Sequence, residues 1–259
     1  MSTFLEKIIE TKRGRVEAVK ALTDPRELER QAFSGAFERR GFRDAVANRN
    51  RTNVIAEFKR ASPSKGVIND TLGPADAAVA YRDGGASAIS VLTEEDFFSG
   101  SLDDLCKIRT AVDLPILRKD FVIDEVQILE SAAAGADAIL LIVAALNIGE
   151  LARFQSQAHE LGLDTLIEVH DRDEMKTAAD IGADLIGVNN RDLQTFEVSL
   201  DVSRELIAYA PRNAVMIAES GISSRQQIEE LSGLGYSGFL VGESLMRSDD
   251  TVSSLEDWL

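Results

Sequence analysis

The sequence predicts an α/β fold: a single (β/α)8 (TIM) barrel over residues 1–259, with residues 1–50 as an N-terminal helical extension. Three features predict it. They are a glycine-containing junction that recurs along the chain, short apolar runs that end in charged residues, and helical patterns between the runs, such as residues 124–134 and 150–161. At 259 residues and 44% hydrophobic content, the chain is long enough to form one such barrel with a large core.

The recurring junction places a glycine where a helix is expected to end in the left-handed conformation, and an aliphatic run follows it. It occurs at Gly85, Gly135, Gly182 and Gly235, roughly two strand–helix units apart. Four strands after these glycines and four charge-ended strands together give eight strands, each followed by a helix. A doubly wound open sheet is the alternative, but it usually has about five or six strands and a G-x-G-x-x-G motif after the first strand. This chain has no such motif there.

The four charge-ended runs are short and aliphatic, which is typical of strands buried on both faces. Because side chains alternate along a strand, Glu57 and Lys59 are predicted to point the same way. Burying a charge costs free energy, so its repetition at four strand ends favours a site over chance. The runs span residues 54–59, 115–119, 165–168 and 215–219.

Two helix-start signals precede the first strand. Thr3 and Glu6 form a possible capping box for a helix that runs to about residue 21. Asp24 and Pro25 place an N-cap before a proline at the first helical position of a second helix. The extension is therefore expected to pack across the mouth or the floor of the barrel, with an apolar face made by Phe4, Leu5, Ile8 and Ile9.

Composition excludes several classes of partner. The formal charge of −16 repels nucleic acid and anionic membranes. No apolar stretch is long enough to span a bilayer, and residues 1–6 lack a secretory apolar region, so we expect a cytoplasmic protein. As a separate expectation, the protein is a monomer or a weak homo-oligomer. With one cysteine and two histidines we expect no disulfide and no metal site, and Cys106 is predicted to be a small buried hydrophobe.

Barrels of this kind place their functional site at the C-terminal ends of the strands. Lysines near carboxylates in a closed cleft can supply an acid and a base near neutral pH, so the pattern predicts proton-transfer chemistry. The alternative is a set of structural ion pairs lining the mouth. The polar residues at the strand ends are Glu57, Lys59, Lys119, Glu168, Asn189, Glu219 and Ser220.

Two glycine-containing turns follow the last two predicted strands, at residues 219–223 and 241–245. The loops after strands 7 and 8 are where barrels commonly bind phosphate, and glycine lets backbone N–H groups approach an anion closely. The pair predicts a phosphate monoester as substrate. Residues 62–66, just past strand 1, are either an ordinary polar loop or a mobile lid whose hydroxyls reach the same anion.

In these motifs the chain resembles the indole-3-glycerol phosphate synthase family of tryptophan biosynthesis, over essentially its whole length. Leu72-Gly73-Pro74 departs from the Phe-Asp-Pro usual in that family, at a predicted helix start away from the catalytic residues. The matching stretches are IAEFKRASPSKG at 55–66, AISVLT at 88–93, LRKDF at 117–121, LIEVH at 166–170, GVNNR at 187–191, ESGI at 219–222 and VGESLM at 241–246.

The resemblance implies closure of the pyrrole ring of 1-(2-carboxyphenylamino)-1-deoxyribulose 5-phosphate with loss of carbon dioxide and water, with no metal or organic cofactor. It makes Lys119 the general acid on the substrate carbonyl and places Lys59 by the departing carboxylate. Which lysine is the acid in the dehydration stays open. The implied catalytic residues are Glu57, Lys59, Lys119, Glu168, Asn189 and Ser220, and the implied substrate-binding or phosphate-binding residues are Ser62, Phe121, Arg191, Glu219, Gly221, Gly242, Glu243 and Ser244.

Two other functions remain open from the residues alone. A Schiff-base aldolase would use Lys59 or Lys119 as nucleophile, and borohydride would trap its adduct. A sensor of phosphorylated metabolites, or an assembly subunit, would bind its ligand without turnover. A complete acid–base set favours an enzyme over a sensor.

Overall fold

Eight parallel strands close into a barrel in the computed structural model, which describes residues 3–259. Neighbours in the chain are neighbours in the sheet, and the last strand pairs with the first, with Val54 opposite Phe239. This closure confirms the barrel and rules out the open sheet. The strands are β1 Asn53–Phe58, β2 Ala88–Leu92, β3 Ile116–Lys119, β4 Ala138–Ile142, β5 Asp164–Val169, β6 Leu185–Asn189, β7 Val215–Glu219 and β8 Gly238–Val241.

Three helices precede β1 in the described part of the chain, namely α1 Phe4–Leu22, α2 Pro25–Ala32 and α3 Phe42–Ala47. Both predicted start signals are confirmed, since Thr3 and Glu6 form a reciprocal capping box and the Asp24 side chain accepts a bond from Arg26 N. Residues 1 and 2, part of the segment expected to lack a secretory signal, lie outside the described residues. Within residues 3–259, no helix is long and apolar enough to cross a membrane.

An outer layer of helices surrounds the barrel. The predicted helix at 150–161 starts earlier, because Asn147 and Glu150 form a capping box that begins it at Ile148. The four junction glycines all have positive φ, as expected. The helices are α4 Pro74–Asp83, α5 Leu102–Ala111, α6 Glu125–Ala134, α7 Ile148–Glu160, α8 Arg172–Asp180, α9 Asp201–Leu206, α10 Arg225–Leu234, α11 Glu243–Met246 and α12 Thr251–Glu256.

The N-terminal extension covers both ends of the barrel. Phe42 and Val46 of α3 are fully buried and pack with the interior side chains Ile55 and Ile217 at the floor. Full burial of such a side chain stabilises the fold by about 1.5–3 kcal/mol. At the other end, α1 buries Ile8 and Ile9 near the mouth. The sequence left open whether the extension packs at the mouth or at the floor of the barrel, and it packs at both.

Cys106 does not lie in the core, so the prediction of a small buried hydrophobe is wrong. It is exposed on α5, between the fully buried Leu105 and Ile108 and next to Lys107. One residue along a helix turns the side chain by about 100°, away from the face that packs on the barrel. Composition alone does not indicate this orientation.

Candidate active site

The C-terminal ends of the strands open into a cavity of about 610 Å³. Two predicted residues are not part of its lining. Glu219 lies beneath Lys119, and Ser62 belongs to a two-stranded hairpin after β1, formed by Ala61–Ser62 and Gly66–Val67. The other twelve predicted residues line it together: Glu57, Lys59, Lys119, Phe121, Glu168, Asn189, Arg191, Ser220, Gly221, Gly242, Glu243 and Ser244.

Lys119 ends β3 and lies between two buried glutamates from other strands. Its Nζ is 3.3 Å from Glu168 Oε2 of β5 and donates a hydrogen bond to Glu219 Oε2 of β7. Burial alone would lower the pKa of Lys119, but the attraction of Glu219 and Glu168 outweighs it and holds the pKa above its usual value. At neutral pH Lys119 is therefore a cation that can donate a proton.

Glu219 occupies space that β6 leaves open. A Cβ at Gly187 would collide with Glu219 Oε1, so only glycine fits beside this carboxylate. Burial, reinforced by the nearby Glu168 and opposed by Lys119, raises the pKa of Glu219 to about 7. Its Oε1 is buried with no hydrogen-bond partner among residues 3–259. Glu219 can therefore bind and release a proton near neutral pH.

Glu168 has the opposite tendency. Burial opposes its ionisation, but Lys119 and His170 together hold the pKa of Glu168 well below its usual range. Asn189, at the end of β6, hydrogen-bonds the same carboxylate, and its Oδ1 accepts a bond from Arg191 N at 3.1 Å. Two glutamates on one lysine thus have pKa values pushed apart, an arrangement that separates a base from a proton carrier.

A second lysine–glutamate pair lies at the end of β1. Lys59 Nζ is 2.5 Å from Glu57 Oε2, which confirms that the two side chains point the same way. Glu57 is buried and packs against Gly242 of the last turn, where a Cβ would collide with its carboxylate. Tyr81 OH donates a bond to the Glu57 backbone carbonyl at 3.1 Å. The pair is therefore held firmly against the predicted phosphate turn.

The two predicted phosphate turns meet at one end of the cavity. Ser220 and Gly221 both have positive φ, and a Cβ at Gly221 would collide with Val198. Ser244 Oγ is buried with no hydrogen-bond partner among the described residues. It lies in the first turn of α11, where backbone N–H groups are free of helical bonds. These groups can together hold an anion.

The opposite wall of the cavity is apolar, and Phe121 is the one predicted site residue in it. The Phe98 ring lies 6.2 Å from that of Phe121. Phe4 of α1 meets Phe196 edge-on with ring centroids 5.1 Å apart. The helical period predicted Phe4 on an apolar face, but Phe98 and Phe196 come from loops, where no local pattern identifies them. The wall is suited to a flat aromatic group.

A buried lysine of α1 was also missed. Lys12 Nζ lies 2.8 Å from Asp120 Oδ1 and 3.1 Å from Glu95 Oε2. Burial lowers the pKa of Lys12, but Asp120 and Glu95 outweigh it and raise the pKa above its usual value. Glu94, Glu95 and Asp96 form a compact acidic group, yet Lys12 and Arg15 neutralise it. Lys12 thereby joins α1 to the loops after β2 and β3.

Comparison with known proteins identifies the family. A model of indole-3-glycerol phosphate synthase matches residues 5–257. The chain belongs to this family. The indole-3-glycerol phosphate synthase of Desulfosudis oleivorans is 45% identical over 263 residues, covering 100% of this chain and 99% of the relative. That of Koribacter versatilis is 46% identical over 259 residues and covers 99% of both chains.

Solved structures confirm the barrel. Thiamine phosphate pyrophosphorylase from Pyrococcus furiosus matches with a TM-score of 0.59 at 19% identity, covering 81% of this chain and 95% of that one. A mutant tryptophan synthase α-subunit from the same organism matches with a TM-score of 0.60 at 17% identity, covering 80% and 97%. At these identities the likeness shows the fold alone.

Proposed function

We propose that this member of the indole-3-glycerol phosphate synthase family closes the pyrrole ring of 1-(2-carboxyphenylamino)-1-deoxyribulose 5-phosphate at the mouth of its barrel, and that the two lysine–glutamate sets carry the protons. The observation that carries the proposal is the position of these sets. They line a single cavity together with apolar side chains and with the two glycine turns that we propose bind the phosphate. The substrate has the same three parts in the same order: an aromatic ring, a ketose and a phosphate.

The substrate would lie along the cavity. Its phosphate would accept bonds from backbone N–H groups near Gly221 and Gly242 and from Ser244 Oγ, which is otherwise unpaired. Its benzoate ring would pack on Phe98 and Phe121. This pose places the ketose carbonyl among the charged side chains. Arg191 stays near the phosphate end and donates a bond to the Phe196 carbonyl at 3.0 Å.

Ring closure would be the first step. The ring carbon that bears the carboxylate attacks the ketose carbonyl carbon, and Lys119 gives a proton to the carbonyl oxygen. Glu219, which bonds Lys119 directly and has a pKa raised by burial to about 7, can then return a proton to the lysine. A new carbon–carbon bond and a hydroxyl result.

Decarboxylation and dehydration would follow. The bond from the ring to its carboxylate breaks, its electron pair restores the aromatic ring, and carbon dioxide leaves beside Lys59. Glu168, held ionised, then removes a proton from the methylene carbon next to nitrogen, and Lys119 or Lys59 donates a proton to the hydroxyl, which departs as water. Asn189 would hold Glu168 and the intermediate in place. These steps give indole-3-glycerol phosphate, which defines the enzyme as a carboxy-lyase.

The proton-donor role of Lys119 is favoured over a Schiff base. A nucleophilic lysine needs a lowered pKa, whereas the carboxylates on Lys119 raise it.

Mixing purified protein with substrate should produce indole fluorescence and an equal amount of carbon dioxide. Ligand binding without product would support the sensor, and an adduct trapped by borohydride would support the aldolase. Cytoplasmic location, a monomeric or weakly oligomeric state and a mobile lid at residues 62–66 stay predictions.

A further inference from the structure

We infer that His170 is a positioning residue of this active site, which decides that Glu168 rather than Glu219 is the ionised partner of Lys119. This inference rests on the proposed role of Glu168 as the base. The two glutamates contact the same ammonium group. Both side chains are glutamates, and Asn189, which hydrogen-bonds Glu168, is neutral, so a charged neighbour is the group that can decide which one carries the proton.

His170 lies where it can do so. It stands two residues after Glu168, just beyond β5, so the alternation of the strand keeps both side chains on the same side. Its Nε2 is 3.4 Å from Glu168 Oε1, and only 13% of its side chain is exposed. Nε2 makes no regular hydrogen bond within residues 3–259, so the contact with Glu168 is an ion pair.

The ring orientation is fixed from the other side. Glu174 Oε2, in the first turn of α8, accepts bonds from His170 Nδ1 at 3.0 Å and from His170 N at 2.7 Å. Glu174 is held in turn because its own N–H donates to the capping residue Asp171. With Nδ1 turned to Glu174, the ring presents Nε2 to Glu168. No comparable cation contacts Glu219 beyond the shared Lys119 in the described part of the chain.

The charges around the ring favour the imidazolium. Three carboxylates face it: Glu168, Glu174 and, further away, Asp192 in the loop after β6. The nearby positive charge, which disfavours the imidazolium, is that of Lys119 at the other oxygen of Glu168. Burial lowers the pKa of His170, but the ion pair with Glu168 and the bonded carboxylate of Glu174 outweigh it and raise the pKa to about 10. Glu168 therefore has a cation on each oxygen, whereas Glu219 has one on a single oxygen.

The first test compares pH profiles. In His170→Gln we expect kcat at pH 5.5 to fall about tenfold, because the proton of the glutamate pair then lies mainly on Glu168, and kcat above pH 8 to stay within about twofold of the wild type. KM should change little. The control is His159→Gln, which alters the other histidine of the chain, exposed on α7. It should match the wild type at every pH. An equal loss at all pH values, or no loss, would overturn the inference.

The second test observes the ring directly. With two histidines in the chain, their imidazole NMR signals are assignable from the His159→Gln variant. His170 should remain protonated through pH 8 and lose its proton at lower pH in Glu168→Gln. Titration of His170 near 6.5, the ordinary histidine value, would overturn the inference.

The two proposals can fail separately. A fully active Glu168→Gln variant would remove the proposed base, and the inference about His170 with it. An inactive Glu168→Gln beside a His170→Gln enzyme with the pH profile of the wild type would overturn the inference about His170 alone.

Discussion

The two ends of this barrel both bury charged side chains, but they do so in different ways. At the floor, the Asp137 carboxylate accepts bonds from Arg109 at 2.7 Å, from Arg40 N at 2.9 Å and from Ile116 N at 2.8 Å. Arg40 in turn donates to backbone carbonyls at the end of α5, such as that of Val112. The floor charges are thus bound to backbone groups and to one another.

At the mouth, polar atoms remain without partners. Glu219 Oε1 and Ser244 Oγ are buried and make no hydrogen bond within residues 3–259, although both lie at or beside the cavity. Leaving such atoms unpaired costs about 1–3 kcal/mol each, a cost that a stabilising network would avoid. A buried charge alone therefore does not indicate a catalytic site. A catalytic site is indicated where buried charges lie at a cavity together with polar atoms that have no hydrogen-bond partner.

The largest expected effect follows from removing the cation at the mouth. Lys119→Ala should lower turnover at least about a hundredfold, the usual contribution of a positioned general acid, with the fold retained. Initial rates from indole fluorescence measure the first quantity, and circular dichroism the second. Turnover near that of the wild type would exclude Lys119 as the acid.

The matched change at the floor should have the opposite outcome. Asp137→Ala removes the carboxylate partner of the buried Arg109 and leaves two backbone N–H groups unpaired, so the free energy of unfolding should fall by about 3–5 kcal/mol. Urea titration measures this loss. The kcat of the folded fraction should stay within about twofold of the wild type. A large drop in kcat would mean that the two ends are coupled and would break the comparison.

Deleting α1 should damage the mouth and spare the barrel. The helix supplies Phe4, Leu5 and Ile8 to the cavity and Lys12 to Asp120. Loss of residues 1–23 should lower kcat/KM at least about tenfold, the effect of losing one well-buried apolar contact, while circular dichroism still reports a barrel. A longer deletion through residue 40 is less informative, because it also removes the floor contacts of Arg40. Unchanged kinetics would make α1 irrelevant to the site.

The smallest effect concerns the unpaired hydroxyl. Inorganic phosphate should compete with substrate, and Ser244→Ala should weaken this inhibition about tenfold, since a hydrogen bond to a charged group contributes about 1.5–3 kcal/mol. Ser232→Ala, on the exposed face of α10, is the control. Gly242→Asp is unsuitable as a test of phosphate binding, because its side chain would collide with Glu57 and so disturb a second part of the site. If phosphate inhibits noncompetitively and Ser244→Ala does not change this inhibition, the phosphate site lies elsewhere.

Local patterns predicted most of the framework. The capping box at Thr3 and the positive φ of Gly135 are properties of a few neighbouring residues, and the strand period correctly paired Glu57 with Lys59. The C-terminal ends of the strands of a barrel meet at its mouth, so the charged residues at these strand ends could be predicted to form one site from the sequence.

Contacts between distant segments could not be predicted in this way. Lys12 meets Asp120 across more than a hundred residues, and Phe4 meets Phe196 across about three quarters of the chain. No period links such positions. His170 lay inside a recognised motif, but its role depends on a ring orientation fixed by Glu174, which the sequence does not reveal.

The most direct test of the account is product formation by three proteins at equal folded concentration: the wild type, Lys119→Ala and Asp137→Ala. Each is mixed with 1-(2-carboxyphenylamino)-1-deoxyribulose 5-phosphate, and indole fluorescence is followed. We expect rates within about twofold of each other for the wild type and Asp137→Ala, and a rate at least about a hundredfold lower for Lys119→Ala. Absence of product from the wild type, or equal rates for all three proteins, would contradict the claim that the charges at the mouth perform the chemistry.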